Sequence, residues 1–591
     1  MNEAQQLPRP EYPRPQLVRE AWMNLNGTWE FEFDDNRVGD GEQWGSGLKS
    51  FTRTIQVPFA YQSELSSIGE TGFHDLVWYR RVVTIPADWS GQSIILHFGA
   101  VDYAATVWVN GKRVAFHEGG HTPFQADITA ALVPDQNVIV VRAEDFSRDV
   151  TLPRGKQYWK EDSASIFYTR TTGIWQTVWL EPLHKVHIAK LKFKPDIDKN
   201  EIEIRTFLNE VPAAGSKLEA RIDIRFKDEY TTSTTFAIHH REETRAVRLH
   251  DFNDHGLGRW WSPHKPNLYD ITVTLYDNGK QVDHVESYFG MRKISVEAGQ
   301  VMLNNRVFFQ RLVLDQGYFP EGILTAPTDE ALRKDIELAK AMGFNGARKH
   351  QKIEDPRFLY WADKLGYIVW GEMANAYQYS EDYVRKVTQE WQEAIERDYN
   401  HPCIVTWVPI NESWGVPNIL VDKRQQQHTL AMYHLTKSLD DTRLVVSNDG
   451  WEQMDSDLVT IHDYAWRRDD LTERYSTLEK TIGGKPHRRE LLVGGTVYKG
   501  QPILVTEFGG IAFKKSHWEG WGYSGAENEE DFVQKLSDVV EPFLQSPHVQ
   551  GICYTQLTDV EQEINGLLTY DREPKAPLEK IKQIIAGPVK Y

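Results

Sequence analysis

The pattern of hydrophobic and polar positions divides the chain into three stretches. From about residue 15 to 185, short alternating or apolar runs recur between turn signals, at 27–33, 78–85, 93–98, 105–112, 138–142 and 176–181. Runs of this length and period predict strands, and Asn110-Gly111 predicts a tight hairpin. So many short strands imply a sandwich of jelly-roll form. A second, smaller all-β stretch follows, with strands at 186–191, 220–226 and 269–275, and its length fits an immunoglobulin-like sandwich. From about 294 strands alternate with helices. A strand at 307–313 precedes a helix at 329–342, with Leu332, Ile336 and Ala339 on one face, Thr328 as cap and Gly343 as stop. Further strands are expected at 346–348, 367–370, 458–461, 503–506 and 551–554, and helices at 358–365, 383–399 and 427–439. Repeated βα units over this length predict a (β/α)8 TIM barrel. The expected organisation is a jelly roll over 1–185, an immunoglobulin-like sandwich over 186–293 and the barrel over 294–591.

Two of the apolar runs in the last stretch end in an acid. Residues 400–415 run from Asn400 through β-branched and aromatic positions to Asn411-Glu412, and residues 502–510 run to Glu507 before Gly509. Both read as buried strands that leave the core carrying a glutamate, and barrel active sites gather at the carboxyl ends of strands. A single strand-end acid is ordinarily just solvated. Two in one barrel are what a retaining glycosidase needs, one to protonate the leaving oxygen and one to attack the anomeric carbon.

Composition narrows the partners. At 591 residues the chain exceeds one core. A net charge of −18 argues against nucleic acid or an anionic membrane surface, though not against an anionic small substrate held in a local cationic pocket. No apolar run would span a bilayer, and the first ten residues carry no apolar signal region. Cys403 and Cys553 each lie in an apolar run and read as small buried hydrophobes in a reducing compartment, so a cytoplasmic location is expected. No Cys/His cluster has zinc spacing, and neither metal nor cofactor is expected. The 20 tryptophans and 25 tyrosines serve both a large core and sugar-stacking faces, and composition does not separate the two.

Several motifs make the chain recognisable: Val57-Pro58-Phe59, Trp108-Val109-Asn110-Gly111, Gly173-Ile174-Trp175, the block Arg397-Asp398-Tyr399-Asn400-His401-Pro402, Asn411-Glu412 and Thr506-Glu507-Phe508-Gly509. Over nearly its whole length the sequence resembles glycoside hydrolase family 2, which includes β-galactosidases, β-glucuronidases and β-mannosidases. The resemblance implies the same three domains in the same order and a retaining reaction. It implies Glu412 as acid/base, Glu507 as nucleophile, Asn411 on the sugar 2-hydroxyl and Tyr464 beside the nucleophile. His462, Asp315, Gln316 and Gln556 are further candidates for sugar contacts.

The sequence also departs from the family pattern. Where many members read Arg-x-Ser-His-Tyr-Pro after the second barrel strand, this chain reads Arg348-Lys349-His350-Gln351-Lys352. Such a cationic cluster is either a solvated basic loop or an anion clamp suited to a uronic acid. The Asn-x-Lys of β-glucuronidases is missing from residues 563–569, and Tyr554-Thr555-Gln556 stands where tryptophans are common. The expected function is therefore a retaining exo-β-glycosidase on terminal β-D-galactose-type residues, either neutral galactosides or acidic galacturonides and glucuronides. A β-mannosidase, or a non-catalytic carbohydrate-binding protein of the same fold, stays open, as does a homo-oligomer.

Overall fold

Alternation along each strand sorts side chains to the two faces of a sheet, and the first two units follow it. The computed structural model describes residues 7–212, 215–227, 229–249 and 258–590. In the first unit a six-stranded antiparallel sheet, in the order Arg53–Val57, Gly27–Phe33, Leu76–Thr84, Gln136–Glu144, Ala104–Val109, Lys112–Glu118, joins a four-stranded one built around Val178–Leu183 and Ser93–Phe98. Their inner faces share one core that includes Trp29, Phe31, Ile55, Tyr79, Leu96, Val141 and Leu180. The Asn110-Gly111 hairpin has both central residues at positive φ, 50° and 79°, as a two-residue turn of this kind requires. The second unit packs a three-stranded sheet (Ile188–Asp196, Glu201–Leu208, Glu242–Arg248) on a four-stranded one (Glu229–Ala237, Leu218–Phe226, Tyr269–Asp277, Lys280–Phe289). Leu218, Ala220, Ile222, Ile224 and Phe226 point inward at every second position.

The third unit is an eight-stranded parallel sheet curled into a barrel. Its strands are β1 Gln310–Asp315, β2 Gly346–Lys349, β3 Ile368–Glu372, β4 Ile404–Val408, β5 Leu444–Val445, β6 Val459–Asp463, β7 Ile503–Gly509 and β8 Val549–Thr555, paired in chain order from β1 to β5 and from β6 to β8, with β8 beside β1. Every residue of β4 and β7 is buried, because helices cover the outside and side chains fill the inside. Helices α1 Asp329–Ala341, α2 Pro356–Leu365, α3 Glu381–Asp398 and α4 Lys423–Leu439 each start at a side-chain cap: Thr328, Asp355, Ser380 and Asp422.

Some boundaries shift from expectation. The predicted strand 307–313 splits: Arg306–Val307 pairs with Met302–Leu303 in a hairpin, and the barrel strand begins at Gln310. Glu412 is not strand-terminal. β4 stops at Val408, and Glu412 lies four residues on, in a turn with φ 51°.

The Arg397–Pro402 block fastens the second unit to the barrel. Asn400 Oδ1 accepts the Phe193 N–H at 2.9 Å and its amide donates to the Leu191 carbonyl at 2.8 Å. Arg292 reaches back to the carbonyls of Pro402 and Ile404 at 3.1 and 2.8 Å. Both cysteines are free and buried. Among the described residues, no helix is long and apolar enough to cross a membrane.

Candidate active site

The carboxyl ends of β2, β3, β6 and β7, with the turns after β4 and β5, bring five charged groups together around Arg348: Glu372, Glu412, Asp449, His462 and Glu507. Arg348, next to last in β2, has a fully buried guanidinium. Its Nε donates to Glu372 Oε2 at 2.9 Å. Nη1 donates to the Thr506 carbonyl at 2.9 Å and lies 2.6 Å from Asp449 Oδ2. Nη2 donates to Asn411 Oδ1 at 2.9 Å and Glu507 Oε1 at 3.0 Å, and lies 2.8 Å from His350 Nδ1. A planar fork of five donors suits such a hub. Glu507 is thereby fixed on one oxygen, and Tyr464 donates its hydroxyl to the other at 2.7 Å. Tyr523 stacks on Tyr464 at 3.5 Å between centroids and holds the phenol in place.

Glu412 stands across from this pair, its side chain 17 % exposed. Its N–H bonds the Asp449 carbonyl at 2.9 Å, and the adjoining Ser413 N–H bonds Asn448 Oδ1 at 2.9 Å. Both residues have left-handed φ, a conformation that side chains other than glycine adopt at a cost, and these bonds hold them there. One oxygen of Glu412 and one of Glu507 lie within 4.8 Å of each other, with a His462 nitrogen between them in the same cluster.

His462 joins the acids: Nδ1 is 2.7 Å from Glu412 Oε1, Nε2 is 2.9 Å from Asp449 Oδ2, and Glu507 Oε1 is 3.5 Å away. Burial alone would lower its pKa, but the charges of Glu507 and Asp449 and the hydrogen bonds to Asp449 and Glu412 raise it to about 10. His462 is thus an imidazolium with both nitrogens donating. Asp449 moves the other way: burial opposes its ionisation, but Arg348 and His462 hold it below the usual carboxylate range. His350 is pushed well below its ordinary value by burial, with Lys156, Arg348 and His462 adding to that against Glu507. It is neutral, and its Nδ1 sits between Arg348 Nη2 at 2.8 Å and Glu372 Oε1 at 3.0 Å.

This charge arrangement predicts a pH dependence. The folded-state pKa of His462 is raised above an unfolded value of about 6.5. Its contribution to stability is complete below that value and is lost as pH rises towards about 10. Thermal unfolding midpoints should fall across that window in the wild type, and the fall should shrink in His462→Gln. An unchanged slope in the variant would place the titration on another group.

Other predicted site residues take different positions. Lys349 Nζ lies 2.8 Å from Asp315 Oδ2 and 2.7 Å from Glu354 Oε2. Lys352 Nζ donates to the carbonyls of Gly317 and Leu324 at 2.6 and 2.8 Å and lies 3.0 Å from Glu354 Oε1. Both are buried, so the solvated-loop alternative is excluded. The two ammonium groups overcome the burial penalty on Glu354 and hold it at about 2. The cluster of Arg348, Lys349, His350 and Lys352 is expected from the sequence to include a clamp for a substrate carboxylate; in the fold Arg348, Lys349 and Lys352 each already have protein acceptors and His350 is neutral. Asp315 is bonded by Lys349 and by the Gly317 N–H, each at 2.8 Å.

Gln316 and Gln556 belong to a buried polar chain. Gln316 Nε2 donates to Gln556 Oε1 (2.9 Å), Gln556 Nε2 to Asn565 Oδ1 (2.8 Å), and Asn565 Nδ2 to Glu563 Oε1 (3.0 Å). Tyr168 of the first unit closes it, donating to Glu563 Oε2 at 2.5 Å. Asn411 uses only its oxygen, on Arg348, and its Nδ2 has no partner among the described residues. Sequence reasoning missed Glu372, Asp449, Trp414, Tyr523 and Lys156. The first two follow barrel-strand ends, the signal that singled out Glu412.

Among the described residues, two groups of side chains have metal-ligand types in reach. Glu412, His462 and Glu507 are the cluster described above. Asp363, His401 and Cys403 lie at the amino end of β4. There Asp363 accepts from the Cys403 N–H, the Tyr288 hydroxyl and His401 Nδ1 at 2.8, 2.8 and 2.6 Å, and burial raises the thiol pKa. That set bolts the second unit to the barrel.

Comparison with known proteins agrees in all three units. Family models described as glycosyl hydrolases family 2, sugar binding domain, glycosyl hydrolases family 2, and glycosyl hydrolases family 2, TIM barrel domain, match residues 22–180, 186–292 and 294–589. A β-glucuronidase of Paenibacillus borealis is 24 % identical over 97 % of this chain and 98 % of its own. A β-galactosidase of Thermoanaerobacter pseudethanolicus is 25 % identical over 69 % of this chain and 52 % of its own. Among solved structures, a GH2 β-galacturonidase from Eisenbergiella tayi superposes with a TM-score of 0.74 at 20 % identity, covering 99 % of both chains. A β-glucuronidase from Ruminococcus gnavus superposes with 0.76 at 19 %, covering 98 % of this chain and all of its own. At these identities the two superpositions speak to the fold alone.

Proposed function

The chain belongs to glycosyl hydrolase family 2, and from that membership we propose that it is a retaining exo-β-glycosidase with Glu507 as nucleophile and Glu412 as acid/base. The observation that carries this reading is the spacing of the two carboxylates. Oxygens of Glu412 and Glu507 lie within 4.8 Å of each other. Retaining enzymes hold the pair about 5–5.5 Å apart, whereas inverting enzymes leave about 6.5–9.5 Å for a water.

Each residue then has a task. Glu507 bonds to the anomeric carbon as the glycosidic C–O bond breaks, and Glu412 gives its proton to the leaving oxygen. In the second half-reaction Glu412 takes a proton from water, whose oxygen displaces Glu507. Arg348 and Tyr464 each bond one oxygen of Glu507 and hold it aimed. The unpartnered Asn411 Nδ2 suits the 2-hydroxyl, a contact that can strengthen in the transition state. The Nε2 of His350, whose Nδ1 is taken up by Arg348 and Glu372, suits a second hydroxyl. A segment of the first unit leans over the barrel rim, with Phe167 against Trp414 at 5.4 Å and Trp159 against Tyr377 at 4.6 Å, which favours terminal residues over chain interiors.

The sugar class proposed is a terminal β-galactoside, neutral or carrying a C6 carboxylate, or the corresponding glucuronide. Nitrophenyl β-D-galactoside, β-D-galacturonide, β-D-glucuronide and β-D-mannoside test it together. Proton NMR in the first minutes should show the β-anomer of the released sugar ahead of mutarotation. Early appearance of the α-anomer would overturn the retaining mechanism.

A further inference from the structure

One cation at the rim is not neutralised by the protein, and it comes from the first unit rather than the barrel. The segment Arg154-Gly155-Lys156-Gln157 is pressed onto the carboxyl ends of β2 and β3. The Gly155 N–H bonds the Asn375 carbonyl at 3.0 Å. Gly155 has φ +58°, and a Cβ there would meet the Gln351 carbonyl oxygen at 2.2 Å, so only glycine allows this approach. Gln157 anchors the other side, donating to Asp102 Oδ2 at 2.8 Å and accepting the Thr171 N–H at 2.6 Å. The Lys156 carbonyl accepts the Tyr168 N–H at 2.9 Å. The backbone on both sides of Lys156 is therefore fixed.

Its side chain runs between two aromatic rings, Nζ lying 5.5 Å from the Trp414 centroid and 6.0 Å from that of Tyr168. Trp414 is two residues past Glu412. Lys156 is only 7 % exposed. Yet among the described residues its ammonium meets no carboxylate within ion-pair distance and no hydrogen-bond acceptor. Lys349, Lys352, Arg348 and Lys575, more deeply buried, each have a carboxylate partner. The nearby Glu563 has both oxygens engaged, by Tyr168 and Asn565. The stem is buried while Nζ keeps contact with solvent at the rim, flanked by two ring faces and without a protein acceptor. An ammonium held in this way is placed to meet an anion that a ligand brings.

We infer that Lys156 is a substrate-recognition residue that pairs with a carboxylate of the bound glycoside, so that the first unit, not the β2 cluster, sets the preference for acidic substrates. This rests on the glycosidase reading above. Two sources would present that chemistry, the C6 carboxylate of a terminal uronoside and an acid on the leaving group. A charge-assisted hydrogen bond in a largely dry site separates acidic from neutral substrates by about ten- to a hundredfold.

The test compares wild type, Lys156→Met and Lys156→Arg. kcat/KM is measured on nitrophenyl β-galactoside, β-galacturonide and β-glucuronide, and on carboxyphenyl β-galactoside. Lys156→Met should lose about ten- to a hundredfold on the acidic substrates and less than about threefold on the neutral galactoside, with Lys156→Arg recovering much of the loss. Loss on the uronides marks the sugar as the source, and loss on carboxyphenyl galactoside marks the leaving group. Equal losses on all four substrates, or none, would overturn the assignment.

Calorimetric binding of D-galacturonate, D-glucuronate, benzoate and D-galactose to the same three proteins decides the point without turnover. An enzyme inactive on every glycoside would refute the glycosidase reading. The assignment of Lys156 would still stand or fall on whether acid binding weakens in Lys156→Met. The thermal midpoint supplies a further check. Removing a cation that has no protein partner should leave it equal or higher, whereas a lysine with a structural role would lower it.

Discussion

Glu507→Gln should abolish turnover while leaving the fold intact. The amide keeps the shape of the carboxylate and still accepts from Arg348 through one oxygen, so unfolding midpoints should move little. It cannot form a bond to the anomeric carbon with the same ease, because a neutral amide is a poor nucleophile. A rate loss of about 10³ or more corresponds to at least ~4 kcal/mol of barrier. The amide nitrogen of the variant would also face either Arg348 Nη2 or the Tyr464 hydroxyl, which now bond the two oxygens of Glu507 at 3.0 and 2.7 Å. Of these, the tyrosine can rotate its hydroxyl and accept, and the guanidinium cannot, so the amide oxygen should settle on Arg348. Single-turnover assays on a nitrophenyl glycoside measure the effect. A variant keeping more than a tenth of the wild-type rate would remove Glu507 from the nucleophile role.

How much of this was legible in the sequence depends on the kind of signal. The three-unit architecture was legible because period-two strands and βα alternation are local patterns, and the cap Thr328 marks a helix start by local chemistry. The cap Asp422 was missed, and α4 begins at Lys423 rather than at 427. β5 was not legible, since only Leu444 and Val445 pair in it and two residues carry no period. The split at Val307 was hidden because a hairpin strand and a barrel strand follow one another with only Phe308 and Phe309 between.

At the site, Glu412 and Glu507 stood out as acids after apolar runs. The basic cluster misled for a physical reason. Charges along a segment show that cations are present but not which acids other strands bring to meet them. Asp315, Glu354, Glu372 and Asp449 come from four different segments, and together they neutralise Arg348, Lys349 and Lys352. Lys156 shows the converse. In the sequence it is one lysine in a β-sandwich loop. Its significance comes from Gly155 letting that loop rest on the barrel rim.

Glu412→Ala should slow the reaction in a way that depends on the leaving group. An alkoxide departs slowly unless protonated, so alkyl glycosides should lose about 10²–10⁴ in kcat/KM, the usual range for a general acid. A dinitrophenolate needs little protonation, and its glycosylation step should be nearly unaffected. The second half-reaction then becomes limiting, because no base activates water, and a burst of phenolate followed by slow turnover is expected. Azide needs no base. Entering the space left by the carboxylate, it should restore turnover and give a β-glycosyl azide, the configuration that two inversions at one carbon require. His462 sharpens the prediction. Its Nδ1 proton now rests on Glu412 Oε1 at 2.7 Å, and in the alanine variant that donor faces the vacated space, where it would favour the incoming anion. His462→Gln combined with Glu412→Ala should therefore show weaker azide rescue than Glu412→Ala alone. Uniform losses across good and poor leaving groups, with no glycosyl azide, would assign the acid/base to another residue.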